Sequence, residues 1–281
     1  MFRTPQGQAR YFAAYDATMA LWPVPVESFD VPTRCGPTHL HVCGAKDAPP
    51  LVLFHGAAIS STMWYPNVGA LSQTYRVYAV DTIGEMGKSV STRPMIKPAD
   101  FVDWLSDVFD ELRLERAHVA GLSAGGFLAL QLALSAPARV MKLILLSPAN
   151  LLSIRPQFYF RLAALVLPFL SPQVKQEIAL GAYSPAIVPV IKQMLTPTDF
   201  RYQMVLPPVC TDEELRQVKT PTLLLLGERE VIYAPQTALA RARRFIPQLE
   251  AEILPQAGHA LNFDQPEIIN QRILEFLNKE A

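Results

Sequence analysis

The stretch Val119-Ala120-Gly121-Leu122-Ser123-Ala124-Gly125-Gly126 decides the fold of this chain. The apolar run 117–120 leads into it, and the Ala- and Leu-rich segment 126–135 follows it. An apolar run, a turn of small residues and a helix-forming segment predict a strand, a sharp turn and a helix. A serine that acts as a nucleophile is held on such a strained turn, and flanking glycines remove side chains that would collide there.

The pattern Gly-x-Ser-x-Gly is short enough to occur by chance, and a strand-to-helix turn can use small residues for packing alone. The helix that follows Ser123 would direct backbone N–H groups and its positive dipole end toward an oxyanion formed beside the serine. Whether Ser123 is catalytic therefore depends on finding a base, an acid and a second oxyanion donor elsewhere in the chain.

The length, hydrophobicity and net charge limit the classes of protein to which this chain can belong. The chain has 281 residues, of which 50% are hydrophobic, and its formal net charge is zero with a pI near 7.0. A chain of this length typically forms one α/β domain with an insertion, and its hydrophobicity argues against disorder. The balanced charge argues against a nucleic-acid partner, which requires a basic face.

The cysteines and the apolar segments indicate a cytoplasmic protein. Cys35, Cys43 and Cys210 are scattered without a Cys-x-x-Cys pair, as expected of reduced thiols. The first 20 residues have no continuous apolar core and do not resemble a signal peptide. The longest apolar run, Leu162–Leu170, contains a proline and is too short to span a bilayer. We therefore expect no stable membrane insertion.

Apolar runs alternate with helix-forming segments along much of the chain. The predicted strands are Val26–Val31, Thr38–Val42, Leu51–Phe54, Tyr75–Val80, Ala117–Ala120, Val140–Leu146, Thr222–Leu226 and Glu250–Leu254. Segments such as Phe101–Leu114 and Pro235–Phe245 have the apolar spacing of helices. This alternation predicts a parallel sheet with right-handed crossovers.

The alternation stops between about residue 150 and residue 210, where the sequence is rich in Leu, Phe, Tyr and Pro and has no strand pattern. Helix-like pieces in this part predict a helical cap inserted into one scaffold, because the sheet elements on either side need each other. We therefore predict an N-terminal helical segment packed on the core at 1–25, a core formed by 26–149 and 211–281, and a cap at 150–210.

Polar, small-residue turns follow the predicted strands, at the sheet edge where ligands bind in open parallel sheets. These turns lie at His55-Gly56, Asp81, Ser123, Ser147, Gly227–Glu230 and Gly258-His259. A serine nucleophile needs a base that takes its proton and an acid that orients this base. His259, directly after the last predicted strand, is the candidate base, and the alternative is a structural histidine.

The acid is expected between the nucleophile and the histidine in the chain. Glu228 and Glu230 follow the next-to-last predicted strand and are the two candidates. We favour Glu230, because three residues past Gly227 it would lie in the loop that faces His259. Glu228 would more naturally cap or pair at the strand end, and it is kept as the alternative.

Other polar residues are given structural roles. We expect Asp81 to brace its loop, Asp264 to cap the last helix, and His55 to be structural. His39 and His41 share one face of a strand, but no third ligand lies at a suitable spacing, so an exposed strand face is expected rather than a metal site. No metal ion or organic cofactor is expected.

Two backbone N–H groups are expected to bind the oxyanion. One belongs to Ala124, directly after the nucleophile, and the other to Ala57 in the loop after the strand 51–54, with Ala58 as its alternative. An apolar substrate pocket is expected from Ala58, Met63, Trp64, Met86 and Phe158, and ordinary packing of cap on core is the alternative for each. An apolar pocket favours small to medium hydrophobic acyl groups.

With these features in place, residues 26–278 resemble the α/β-hydrolase fold superfamily, in particular its carboxylesterase-like serine hydrolases. The resemblance rests on His55-Gly56, Asp81-x-x-Gly84-x-x-Gly87-x-Ser89, Gly121-Leu122-Ser123-Ala124-Gly125, Gly227-x-x-Glu230 and Gly258-His259. It implies an α/β fold with an eight-stranded, mostly parallel sheet, helices on both faces and a helical cap inserted after the sixth strand.

The resemblance also narrows the chemistry. Serine at position 123 disfavours the haloalkane dehalogenases and epoxide hydrolases of this superfamily, which use aspartate as the nucleophile. Glu230 stands where most members carry aspartate, although glutamate occurs in some. The expected activity is hydrolysis of an ester or related acyl bond of a small apolar molecule through Ser123, Glu230 and His259.

Three alternatives stay open on the sequence. The same three residues could hydrolyse a C–C bond, a lactone or a thioester, because a fold does not determine which bond is cleaved. The chain could instead be a ligand-binding protein of this fold with little turnover. The apolar cap could also act as a lid at a membrane interface, as in lipases.

Overall fold

The computed structural model describes residues 2–196, 199–201 and 207–279, in which an eight-stranded sheet forms the centre of the molecule. Its strands are β1 (Glu27–Val31), β2 (Thr38–Cys43), β3 (Pro50–Phe54), β4 (Arg76–Val80), β5 (Ala117–Leu122), β6 (Val140–Leu146), β7 (Thr222–Gly227) and β8 (Leu249–Leu254). β5 and β7 are buried along their whole length. Continuous apolar strands of this kind are covered on both faces.

The strands follow the order β1-β2-β4-β3-β5-β6-β7-β8 across the sheet. β2 is antiparallel to β1 and to β4, and the other neighbouring strands are parallel. The prediction of a mostly parallel eight-stranded sheet is therefore confirmed. The carboxyl ends of β3 to β8 lie at the same edge, so that the turns after these strands are brought together.

Helices cover both faces of this sheet. They are α1 (Pro5–Met19), α2 (Tyr65–Leu71), α3 (Pro98–Glu111), α4 (Ala124–Ser135), α5 (Pro156–Leu162), α6 (Pro172–Leu180), α7 (Val188–Met194), α8 (Asp212–Gln217), α9 (Pro235–Phe245), α10 (Leu261–Asp264) and α11 (Pro266–Asn278), with 3-10 helices at Ser61–Trp64, Pro137–Arg139, Ala163–Val166 and Pro185–Ile187.

The side chains of β3 illustrate how the two faces are formed, because successive residues of a strand point to opposite sides. Val52 and Phe54 belong to an apolar cluster that includes side chains of α3, α4 and α9. Leu51 and Leu53 belong to a second cluster, with side chains of α2, α7 and α11. The sheet is therefore buried between two helical layers.

The chain between β6 and β7 is helical in its described residues, with α5, α6, α7 and α8 and no strand. α8 begins with a capping box of Thr211 and Glu214, which the reading of the sequence did not identify. The helical insertion after the sixth strand agrees with the prediction, and the boundaries at residues 150 and 210 stay a prediction. Within the described ranges, no helix is long and apolar enough to cross a membrane.

α1 is attached to the sheet through buried polar side chains. The Tyr15 hydroxyl donates to Oδ2 of Asp81 at 2.8 Å and lies 2.6 Å from Nε2 of His41. Burial lowers the pKa of His41 to about 4, so this imidazole is neutral at pH 7. The expectation of an exposed strand face is wrong for His41, because α1 covers it from a distant part of the sequence.

Asp81 braces the loop that follows β4, as predicted. Its carboxylate accepts hydrogen bonds from the backbone N–H groups of Ser61 at 2.9 Å and of Lys88 at 2.8 Å, in addition to the Tyr15 hydroxyl. The loop after β4 is thereby tied both to the segment that follows β3 and to α1.

Candidate active site

Ser123 occupies a strained turn between β5 and α4. Its backbone has φ 55° and ψ −115°, a conformation that costs a residue with a Cβ atom roughly 1–3 kcal/mol. The surroundings hold it in place, since its N–H donates to the Leu146 carbonyl and its own carbonyl accepts from Phe127 and Ala149. α4 begins at Ala124, so the N-terminus of this helix lies directly behind the serine.

The two glycines around Ser123 are required by close backbone contacts. A Cβ atom at Gly121 would lie 2.1 Å from the carbonyl oxygen of Gly125. A Cβ atom at Gly125 would lie 2.2 Å from the carbonyl oxygen of Phe54 at the end of β3. Because real Cβ atoms do not approach oxygen this closely, the turn accepts only glycine at both positions.

His259 and Glu230 form a buried pair at the same edge of the sheet. Nδ1 of His259 lies 2.8 Å from Oε2 of Glu230, and the two side chains are 7% and 0% exposed. The other oxygen of Glu230 accepts the backbone N–H of Ile232 at 2.8 Å. Glu228 is exposed and accepts the backbone N–H of Gln256 instead. Of the two candidate acids, the structure therefore places Glu230 against the histidine.

Glu230 stays ionised although it is completely buried. Burial alone would raise its pKa, but the charge of His259 and the hydrogen bonds from His259 and from the Ile232 N–H lower the pKa below its ordinary value. An ionised carboxylate at Nδ1 keeps the proton on that nitrogen and leaves Nε2 as the basic atom.

Asp264 holds the loop that carries His259. One of its carboxylate oxygens accepts the backbone N–H groups of residues 183 and 184, and the other accepts that of Gly258. The last helix, α11, begins only at Pro266, and no side chain caps it. The prediction that Asp264 caps this helix is therefore wrong, and its carboxylate instead joins the helical insertion to the His259 loop.

The loop after β3 passes beside the nucleophile. A Cβ atom at Gly56 would lie 3.6 Å from the Cβ atom of Ser123. Ala58 has a left-handed backbone with φ 59°, and its N–H donates to Oε2 of Glu85 at 3.0 Å. The Ala57 N–H has no acceptor among the described residues. Ala57 is therefore the better placed of the two alanines to donate to an oxyanion, and its role stays a prediction.

His55 stabilises the loop after β3 through hydrogen bonds of both ring nitrogens. Nδ1 lies 2.7 Å from the carbonyl oxygen of Gly56, and Nε2 accepts the backbone N–H of Thr82 at 2.9 Å. Burial lowers the pKa of His55, so the ring is neutral, with its proton on Nδ1. Both nitrogens are engaged, which agrees with the structural role predicted for this histidine.

Comparison with known proteins decides the family. Residues 51–272 match the model of the alpha/beta hydrolase family. The chain belongs to this family. The hydrolase is 40% identical to carboxylesterase YbfK of Bacillus subtilis over 98% of the chain and 96% of the relative. It is 42% identical to the uncharacterized carboxylesterase nap of the same organism, over 97% of the chain and 93% of the relative.

Solved structures agree with this assignment. The crystal structure of naproxen esterase (carboxylesterase NP) from Bacillus subtilis superposes on the hydrolase with a TM-score of 0.91 at 40% identity, covering 98% of this chain and 100% of that chain. The α/β-hydrolase resemblance read from the motifs is confirmed, and the order Ser123, Glu230, His259 along the hydrolase is the order typical of this fold.

The side chains predicted to form the substrate pocket are mostly buried among other apolar residues. Met63 and Trp64 are fully buried in the cluster of α2 and α11, and Met86 packs with the tyrosines of α1. Phe158 is partly buried against the opposite cluster, and Ala58 is partly exposed in the loop after β3. That these residues of the hydrolase contact substrate stays a prediction.

A small cavity lies against the loop after β3 of the hydrolase and has a volume of about 30 Å³. It is lined by His55, Gly56, Ala57, Thr82, Ile83, Glu85, Phe101, Ala124, Phe127, Leu128 and Pro207. Both alanines predicted to donate to the oxyanion are among these residues. Sequence reasoning missed Glu85 here, although a carboxylate between Gly84 and Met86, in a turn at the carboxyl end of a predicted strand, was the available signal.

Proposed function

We propose that this hydrolase is a carboxylesterase that cleaves esters of small to medium apolar substrates through Ser123, His259 and Glu230. The observation that carries the proposal is the buried His259–Glu230 pair, at the edge of the sheet where the turn after β5 holds Ser123. The relatives named carboxylesterase, at about 40% identity over nearly the whole chain, support ester hydrolysis as the activity.

The first half of the reaction acylates the serine. As Oγ of Ser123 attacks the carbonyl carbon, Nε2 of His259 takes the hydroxyl proton, and the carbonyl electron pair moves to oxygen. Glu230 keeps the ring oriented and stabilises the imidazolium. When the intermediate collapses, the bond to the alcohol oxygen breaks, and this oxygen receives the proton from Nε2. The acyl group stays on Ser123.

The second half releases the acid. His259 takes a proton from a water molecule as its oxygen attacks the acyl carbon, and Oγ of Ser123 then leaves with the proton returned by the imidazolium. In both halves the oxyanion would be bound by the N–H groups of Ala57 and Ala124. Backbone donors held in place by the loop after β3 and by α4 need no reorganisation when the negative charge develops.

The lining of the cavity supports a hydrophobic acyl group. Ile83, Phe101, Phe127 and Leu128 are buried and border the two proposed oxyanion donors. Transfer of a methylene group from water into such surroundings contributes about 0.8 kcal/mol. The small volume beside these side chains favours short acyl chains.

The proposal is tested by a series of esters of increasing acyl length, with thioesters and lactones of matched size. The variants are Ser123→Ala and, as a control, Ser135→Ala, an exposed serine at the end of the same helix. We expect short-chain esters to be the best substrates, with a loss of at least about 10³-fold in kcat for Ser123→Ala. Unchanged turnover in Ser123→Ala would overturn the proposal, and a preference for thioesters or lactones would assign another bond.

A further inference from the structure

Glu85 is a buried carboxylate that the proposed reaction does not use. It lies in the turn after β4 and is only 8% exposed. Its Oε2 accepts the N–H of Ala58 at 3.0 Å, and its other oxygen accepts no hydrogen bond from the described residues. Because this second oxygen has no partner in the described part of the chain, on a carboxylate that is otherwise buried, it is available to a polar group that enters a neighbouring cavity.

The position of Glu85 connects it to the reacting centre. Glu85 lines the cavity that also borders Ala57 and Ala124, and it is the only carboxylate among the described residues lining it. The other side chains there are mainly apolar, and His55 is neutral with both ring nitrogens engaged. A substrate group that enters this cavity therefore meets a single ionisable partner.

The acyl side of the substrate is the part that suits this cavity. In the proposed reaction the alcohol leaves after the first half, whereas the acyl group stays bonded to Ser123 until water releases it. A small cavity beside the oxyanion donors can hold the end of a short acyl chain throughout both halves. A group at that end that donates a hydrogen bond would satisfy the free oxygen of Glu85.

We propose that Glu85 is a specificity-determining residue that favours acyl groups ending in an ammonium or another hydrogen-bond donor over those ending in a methyl group or a carboxylate. This inference rests on the proposed esterase function and names its preferred substrate class. A carboxylate in the substrate would be repelled, since two like charges would share a site with few other polar partners.

The ionisation of Glu85 gives this preference a dependence on pH. Burial raises the pKa of Glu85 to about 7, while the hydrogen bond from Ala58 opposes the rise. The other ionisable side chain that lines the cavity beside Ala57 and Ala124 is His55. Glu85 also borders a second cavity, and the ionisable side chains that line it are Arg3 and Lys88. Above the pKa the carboxylate is charged and attracts an ammonium group. Below it the proton of the carboxylic acid removes this attraction.

The test compares two substrates of nearly equal shape, ethyl 3-aminopropanoate and ethyl butanoate, which differ by an ammonium in place of a methyl group. The measured quantity is the ratio of their kcat/KM values, with monoethyl succinate as the anionic member of the series. The enzymes are the wild type, Glu85→Gln, and Glu111→Gln as a control at an exposed glutamate. Glutamine keeps an oxygen that can accept from Ala58, so the comparison isolates the charge.

We expect the ratio to fall at least about 10-fold in Glu85→Gln, because a hydrogen bond to a charged group typically strengthens binding by about this factor or more. In Glu111→Gln we expect the ratio to stay unchanged. In the wild type the ratio should also fall as the pH is lowered through about 7, and in Glu85→Gln it should not.

Two outcomes separate this inference from the proposed function. If the wild type hydrolyses ethyl butanoate and Ser123→Ala does not, but the ratio is the same in wild type and Glu85→Gln, the role of Glu85 is refuted and the esterase function stands. If Ser123→Ala and the wild type turn over ethyl butanoate equally, the esterase proposal fails, and the inference that rests on it fails too.

Discussion

Nδ1 of His259 and Oε2 of Glu230 are 2.8 Å apart, and both side chains are shielded from solvent. The carboxylate comes from the turn after β7 and the imidazole from the turn after β8, so two neighbouring parallel strands deliver the pair. Because both side chains are buried, solvent and salt screen their electrostatic interaction only weakly. Loss of the carboxylate charge therefore removes a strong interaction that orients and stabilises the imidazole ring.

Replacement of Glu230 by glutamine tests this pair directly. The amide carries no charge and no longer fixes the proton on Nδ1, so we expect kcat for an ester to fall roughly 10²- to 10⁴-fold. Glu228→Gln is the matched control, two residues away and exposed, and we expect a change of no more than about twofold. The measurement is the steady-state kcat of both variants with one good ester. A larger loss in Glu228→Gln than in Glu230→Gln would contradict the assignment.

The close backbone contacts around Ser123 lead us to expect that an added Cβ atom at Gly125 destabilises the fold. A Cβ atom at Gly125 would meet backbone oxygen atoms of Phe54 and His55 at 2.2 and 2.6 Å, and backbone cannot yield as a side chain can. We expect Gly125→Ala to lower the free energy of unfolding by about 3 kcal/mol or more, at the upper end of the range for overpacking.

Gly56→Ala serves as the control for this steric effect. Its added Cβ atom would have its closest contact at 3.4 Å, to Cδ1 of Ile59, which is ordinary packing distance. Thermal unfolding of both variants, followed by circular dichroism, should show a much larger loss for Gly125→Ala. Equal losses would show that the close contacts at Gly125 are not what restricts the turn.

The raised pKa of Glu85 implies that the free energy of unfolding depends on pH. Its pKa in the folded protein is about 7, above the 4.5 of an exposed glutamate, so the folded state holds the proton more tightly than the unfolded chain. The stability that Glu85 contributes is therefore fully present below about pH 4.5 and is lost as the pH rises through 7. A shift of this size corresponds to about 3 kcal/mol.

The check is the difference in unfolding free energy between wild type and Glu85→Gln, measured at about pH 5 and about pH 8.5. We expect the wild type to lose stability relative to the variant as the pH rises, because only the wild type must bury a charge there. A difference that is the same at both pH values would contradict the raised pKa of Glu85.

Much of the fold could be predicted because its signals are local. The strand Val140–Leu146 and the helix Pro235–Phe245 have in the structure the bounds predicted from their apolar patterns. The preference for Glu230 over Glu228 also followed from local geometry, since the turn after Gly227 directs only the later carboxylate toward His259. Motifs at the ends of parallel strands are brought together by the topology itself.

The interactions that the sequence did not reveal depend on distant partners. His41 is buried because Tyr15 of α1 covers it, and no pattern within β2 indicates this. Asp264 has the sequence context of a helix cap, but its carboxylate accepts the backbone N–H groups of residues 183 and 184 instead. Glu85 is buried by side chains from several separate elements, among them Phe101 of α3 and Phe127 of α4. Burial of each of these groups is a property of the assembled fold.

The central claim, that Ser123 is an activated nucleophile, is tested most directly by a fluorophosphonate probe and intact-mass spectrometry. Serine hydroxyls without an adjacent base react poorly with such a probe, whereas one paired with histidine displaces the fluoride and forms a stable phosphonyl ester. We predict one label per chain, mapped by peptide analysis to Ser123 and absent in Ser123→Ala. Labelling that persists in Ser123→Ala, or a wild-type chain that takes up no label, would contradict the account.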